Sequence, residues 1–183
     1  MGDDEGRGSR KASGPPAARA TAWGPEPSHL VTEEGVYGVI LVSGMIVVAG
    51  TQSFGAWEVF ATVVTTVLVF WMAHIYAGTV AHHGTHDGHA VGLRAAMRIA
   101  LVRSSGLLLG ALLPTAVLLL GAARVIPDLA AMWAALWVGV AVLAVIGFVS
   151  FRSRGSSVAK SLIGSFVTAA FGLAMIALKT TLH

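Results

Sequence analysis

Four of the seven histidines in this chain fall within eight positions, in the string Ala81-His82-His83-Gly84-Thr85-His86-Asp87-Gly88-His89. Imidazole is a general ligand for zinc, nickel, copper and iron, and a carboxylate such as Asp87 can complete or support such a set. If the string is helical, His82 and His86 stand four residues apart and share one face. His82, His83, His86, Asp87 and His89 are therefore the candidate ligands for a divalent ion (zinc, nickel or iron) on a His-rich loop. Gly84 and Gly88 pull the other way, because they favour a flexible link over a preformed cage. The same string also reads as a solvated polar loop, or as a pH-responsive one, since histidine titrates near neutrality.

A second group of ionisable residues, Glu33, Glu34, Glu58, His74 and Tyr76, lies in or beside apolar stretches. An ionisable side chain at membrane depth is a functional candidate by default, so these five form a candidate intramembrane polar site. Helical spacing puts His74 on one face with Val63, Val67 and Trp71, and Glu58, Thr62, Thr65, Thr66 and Tyr76 on the opposite face. His74, Glu33, Glu34 and the histidine string would together make a cation site at the mouth between the first two spans, although His74 is also shallow enough to reach the interface. Glu58 heads a threonine stripe that either lines a polar path or bonds back to its own helix. The chain has no Gly-rich phosphate loop, Gly-x-Ser-x-Gly or His-Glu-x-x-His, so it is not expected to be an enzyme or to need a cofactor beyond such a metal ion. Without cysteine, disulfides, thiolate metal sites and cysteine nucleophiles are excluded.

The elements that must position these residues are set by composition. Hydrophobic residues make up 55% of the chain and charged ones 11%, and the mean hydropathy is +0.76. A soluble fold of this size has too little interior to hide so much apolar surface, which leaves lipid as the solvent. The sequence predicts an all-α polytopic transmembrane bundle with spans at about 33–54, 57–80, 104–123, 129–151 and 162–178, preceded by a disordered tail over 1–32. Thr32 can cap the first span, with Glu33 and Glu34 in its first turn. Residues 91–102 carry Leu93, Met97 and Leu101 beside Arg94 and Arg98, and are expected to lie along the membrane surface before the third span.

Ten of the twelve Lys and Arg residues fall on one side of this topology, opposite Arg124 and Lys179. The positive-inside rule then puts the N-terminus in the cytoplasm and the C-terminus outside. The basic residues sit at span ends and form no stripe, which argues against a nucleic-acid partner. Small residues recur every fourth position at Gly106 and Gly110, at Ala131, Ala135 and Gly139, and at Gly164, Thr168 and Gly172. Such faces let helices approach closely, and they are the expected surfaces for a homo-oligomer in the bilayer.

The strings Thr32-Glu33-Glu34-Gly35-Val36-Tyr37-Gly38-Val39-Ile40-Leu41, Val69-Phe70-Trp71-Met72-Ala73-His74-Ile75-Tyr76-Ala77 and Ile176-Ala177-Leu178-Lys179-Thr180-Thr181-Leu182-His183 resemble those of uncharacterised small five-span integral membrane proteins of high-GC bacteria. The resemblance implies five spans in the bacterial cell (inner) membrane and carries over no catalytic or binding residue. In layout alone the chain is also similar to the vacuolar iron transporter family, which has five spans, a cytoplasmic N-terminus and metal ligands after the second span. It departs from that family in lacking the long Glu- and Met-rich cytoplasmic extension and acidic residues within the first span. The leading expectation is a non-enzymatic accessory or interaction protein, and the alternative is a divalent-cation transporter or metal-binding protein that uses the His-rich loop.

Overall fold

Five long helices follow one another along the chain, interrupted once by a small β-hairpin. The computed structural model describes residues 27–50, 55–86 and 89–181. The elements are α1 (Pro27–Gly50), α2 (Ala56–His82), β1 (Gly84–His86), β2 (His89–Val91), α3 (Leu93–Ala122), α4 (Asp128–Ser153) and α5 (Val158–Thr181). The expected tail lies outside the described residues as far as position 26.

Helix α1 starts six residues before the expected boundary of the tail. Proline is well suited to a first helical position, where its missing N–H has no partner to lose and its φ is already helical. Thr32 is therefore inside the helix and not its cap, and Glu33 and Glu34 lie beyond the first turn.

Helix α3 also departs from expectation, because it is one uninterrupted 30-residue helix and not a surface segment followed by a span. Ala96 and Ala100 continue the buried stripe of Leu107, Gly110, Ala111, Pro114 and Leu118, so the same face stays packed along the whole length. Arg94 and Arg98 lie on its exposed side.

Helices α2 to α5 are long and apolar enough to cross a bilayer, and α1 is not among these four. Their outer faces expose Phe70, Met72, Leu112, Val145, Phe166 and Phe171. So much outward apolar surface suits lipid and not water. The molecule is a multi-pass helical membrane bundle.

Close backbone approach holds the bundle together where lipid gives no hydrophobic drive. A methyl group at Gly38 would strike the Leu107 carbonyl, and one at Gly110 would strike the Gly35 carbonyl, so α1 and α3 pack backbone to backbone. Between α4 and α5, Gly147 faces Thr168 and Gly164. There Ser165 Oγ donates to the Ala144 carbonyl at 2.8 Å and Thr168 Oγ1 to the Leu143 carbonyl at 2.8 Å. The small-residue faces expected to join protomers are thus occupied inside one chain. Gly110 meets α1, Ala131 meets Gly121, Gly139 meets Val39 and Ser43, and Gly172 meets Val140 and Leu143.

At one end of the bundle, α2 and α3 are joined by the hairpin. Its strands are antiparallel, with Gly84 paired to Val91, Thr85 to Ala90 and His86 to His89. Asp87 and Gly88, which connect them, lie outside the described residues; Asp-Gly is a favoured two-residue hairpin sequence. Because α2 stops at His82 and His86 belongs to a strand, these two histidines do not share a helical face.

Candidate functional site

Each of the three helices near the hairpin end carries one ionisable residue on its buried stripe. In α1 the row is Glu34, Gly38, Val42 and Ile46, all buried. In α2, His74 continues the row begun by the buried Val59, Val63 and Val67. In α3, Arg103 stands between Ala100 and Leu107, at the three- and four-residue steps of the buried face. Burial of the apolar neighbours carries these polar groups inward with them.

They meet at the Glu34 carboxylate, whose residue is 1% exposed. Arg103 Nε donates to Glu34 Oε1 at 3.2 Å. His74 Nε2 lies 2.7 Å from Glu34 Oε2 and forms an ion pair with it when the imidazole is protonated. No aligned hydrogen bond reaches Oε2, so this second contact is electrostatic in character. Trp71 Nε1, one turn back along α2, is also buried without a hydrogen-bond partner. The Phe70 ring covers one side of His74 at 6.0 Å between centroids.

The side chains of His74 and Arg103 are each 32% exposed, whereas that of Glu34 is 2% exposed. The carboxylate is therefore reached only through its two partners. A divalent cation at Glu34 would have to share the carboxylate with the Arg103 guanidinium, which holds Oε1. Like-charge repulsion in a poorly solvated site makes this arrangement a charge lock between helices and a poor metal cage.

Of the five residues in the expected polar site, Glu34 and His74 come together. Glu33 faces outward, and Tyr76 is 73% exposed on the far side of α2. Glu58 lies sixteen residues from His74 along α2, about 24 Å at the helical rise. Thr62 Oγ1 donates to the Glu58 carbonyl of its own helix at 2.8 Å, and Thr62 and Thr65 are exposed, so no polar path is assembled there.

Glu58 belongs instead to a second polar cluster at the opposite end. Asp128 Oδ2 accepts from the Ala56 N–H at 3.1 Å and so satisfies the first turn of α2 from the start of α4. Glu58, Asp128 and Arg124 line an open cavity of about 370 Å³. Nearby, Lys179 of α5 is buried, with its ammonium 5.7 Å from the centre of the Trp133 ring.

In the histidine string, His82 Nδ1 lies 2.7 Å from the Gly78 carbonyl, and His83 is exposed. Among the described residues no three metal-ligating side chains converge. Asp87 is outside the described residues. Arg103 escaped the sequence reading because it was counted only as an orienting charge at the edge of a span. Its place on the heptad of Ala96, Ala100, Leu107 and Gly110 was the signal that it points inward. No family model matches this chain, and neither a curated protein nor a solved structure is similar to it.

Proposed function

We infer that this chain is a five-span protein of the bacterial inner membrane that carries out no chemical reaction and serves as an accessory or interaction component. In this reading α1 is the fifth span. Its 24 residues make about 36 Å of helix against a hydrocarbon core of about 30 Å. The hairpin end faces the cytoplasm, since Arg94, Arg98, Arg103, Arg152, Arg154 and Lys160 lie at that end and Arg124 and Lys179 at the other.

The observation that carries the reading is the state of Glu34. Glu34, the most deeply buried carboxylate among the described residues, faces an arginine and a histidine of neighbouring helices. A transported cation needs an open acidic site, and this one is occupied by the side chains of Arg103 and His74.

The test is reconstitution of the purified protein in sealed liposomes carrying a pH-sensitive and a zinc-sensitive dye. Proton and zinc fluxes equal to those of protein-free vesicles are expected. A flux above that baseline which Glu34→Gln removes would overturn the reading. The chain has no native cysteine, so single-cysteine labelling at Ser156 and Val125 reports topology directly. Ser156 should label only from the cytoplasmic side and Val125 only from outside.

A second reading is favoured by the register of the hairpin, which pairs His86 with His89 across the ladder. Both residues carry imidazole, a general ligand for divalent transition metals. Titration with zinc or nickel checks it. Stoichiometric binding that is lost when His82, His83, His86 and His89 are replaced by Ala supports this reading, and binding unchanged by that replacement removes the loop from consideration.

A further inference from the structure

On the membrane-facing side of the bundle, α1, α3 and α4 enclose an apolar slot of about 280 Å³. Its floor is glycine backbone, from Gly35, Gly106 and Gly110, and its wall is formed by Val142, Val145 and Val149. A methyl group at Gly35 would press on Ile146 across the slot, whereas Gly110 packs directly on the Gly35 backbone and so holds α1 and α3 together beneath it. From Val142 to Val149 it runs seven residues along α4, about 10 Å. In a protein surrounded by lipid, the material available to fill an apolar slot open to the hydrocarbon is an acyl chain.

The charges at one end select the headgroup. Arg103 lies one turn beyond Gly106 on α3, and Arg152 lies one turn beyond Val149 on the antiparallel α4, so both are at the hairpin end of the slot. The Arg103 side chain gives its Nε to Glu34 and remains 32% exposed. Arg152 is exposed, and its Nη1 makes one long contact of 3.5 Å with the Ser156 carbonyl. Two guanidinium groups above an apolar slot match an anionic headgroup above an acyl chain, because guanidinium pairs with phosphate oxygens through parallel N–H donors.

We propose that this slot binds one anionic phospholipid of the leaflet at the hairpin end, with an acyl chain between α3 and α4 and its phosphate at Arg103 and Arg152. The proposal rests on the membrane-spanning reading of the bundle but not on the absence of transport.

The experiment is native mass spectrometry of the full chain in mild detergent, titrated with phosphatidylglycerol and with phosphatidylcholine of the same acyl chains. Two variants accompany it. Arg152→Gln leaves the Glu34 contacts untouched, and Val145→Phe fills the slot from its rim, where Val145 is 61% exposed. Thermal melting of each variant verifies that it is folded; Leu109→Phe, at a position 59% exposed, replaces Val145→Phe if that variant is not. The expected result is preferential retention of one phosphatidylglycerol, weakened about fivefold by Arg152→Gln, the effect of one arginine near a headgroup. Filling the slot should abolish retention, and inorganic phosphate should not displace the lipid. Equal retention of the two lipids, displacement by inorganic phosphate alone, or binding indifferent to both variants would overturn the proposal. Detection of cation flux in the liposome assay would leave it standing, so the two readings fail separately.

Discussion

The two ends of the bundle hold similar residue types in opposite circumstances. At the hairpin end, Glu34 is enclosed and reached by an arginine and a histidine from two other helices. At the far end, Glu58 and Asp128 are exposed around an open cavity with Arg124, and their roles are local: Asp128 accepts from the first residue of α2, and Glu58 lies in the first turn of that same helix. A carboxylate in water can trade its partners for solvent at little cost. A carboxylate enclosed by apolar helices cannot, so the loss of one partner leaves an uncompensated charge. Burial, and not residue type, decides which cluster the fold depends on.

Variants can break or sharpen that contrast. The largest effect is expected from Arg103→Met, which keeps the bulk of the side chain but strands the Glu34 carboxylate; unfolding in mild detergent should show a loss of about 3–5 kcal/mol. Glu34→Gln should cost less, about 1.5–3 kcal/mol, because the groups it leaves behind are partly exposed and can turn to water. At the opposite end, Asp128→Ala removes the acceptor at the start of α2 and should lower stability by about 1 kcal/mol. Glu58→Ala should change stability by no more than about 0.5 kcal/mol, as is usual for an exposed position. If the two far-end variants cost as much as the two at the hairpin end, the contrast is wrong.

Much of the bundle was legible because hydropathy and helical spacing are local properties. The two faces of α2 are readable from spacing, Val63, Val67, Trp71 and His74 on one and Glu58, Thr62, Thr65, Thr66 and Tyr76 on the other, and the structure buries Val63 and Val67 and exposes Glu58, Thr62, Thr65 and Tyr76. Helix ends were less legible. Pro27 extends α1 backwards through residues that composition alone assigned to a tail, and Ala96 and Ala100 carry α3 through a segment whose arginines suggested a surface helix. The site is half legible: Glu34 and His74 are expected together at the mouth between the first two spans and do meet there, whereas Glu33 and the histidine string do not join them. Arg103 was hidden by its second role, since an arginine at the end of a span satisfies the orientation rule whether or not it also points inward. The small-residue faces are expected to join helices closely, yet a single sequence does not say whether such a face meets its own chain or a copy.

The central claim is that Arg103 is needed because Glu34 is buried. It is tested most directly by comparing Arg103→Met with the double variant Glu34→Gln/Arg103→Met in the same unfolding assay. With the carboxylate neutralised, the reason for the arginine is gone, so the double variant should be more stable than Arg103→Met alone, which requires a coupling of about 2–3 kcal/mol, larger than the cost of Glu34→Gln by itself. If the costs of the two substitutions simply add, the two side chains do not depend on one another and the account is contradicted.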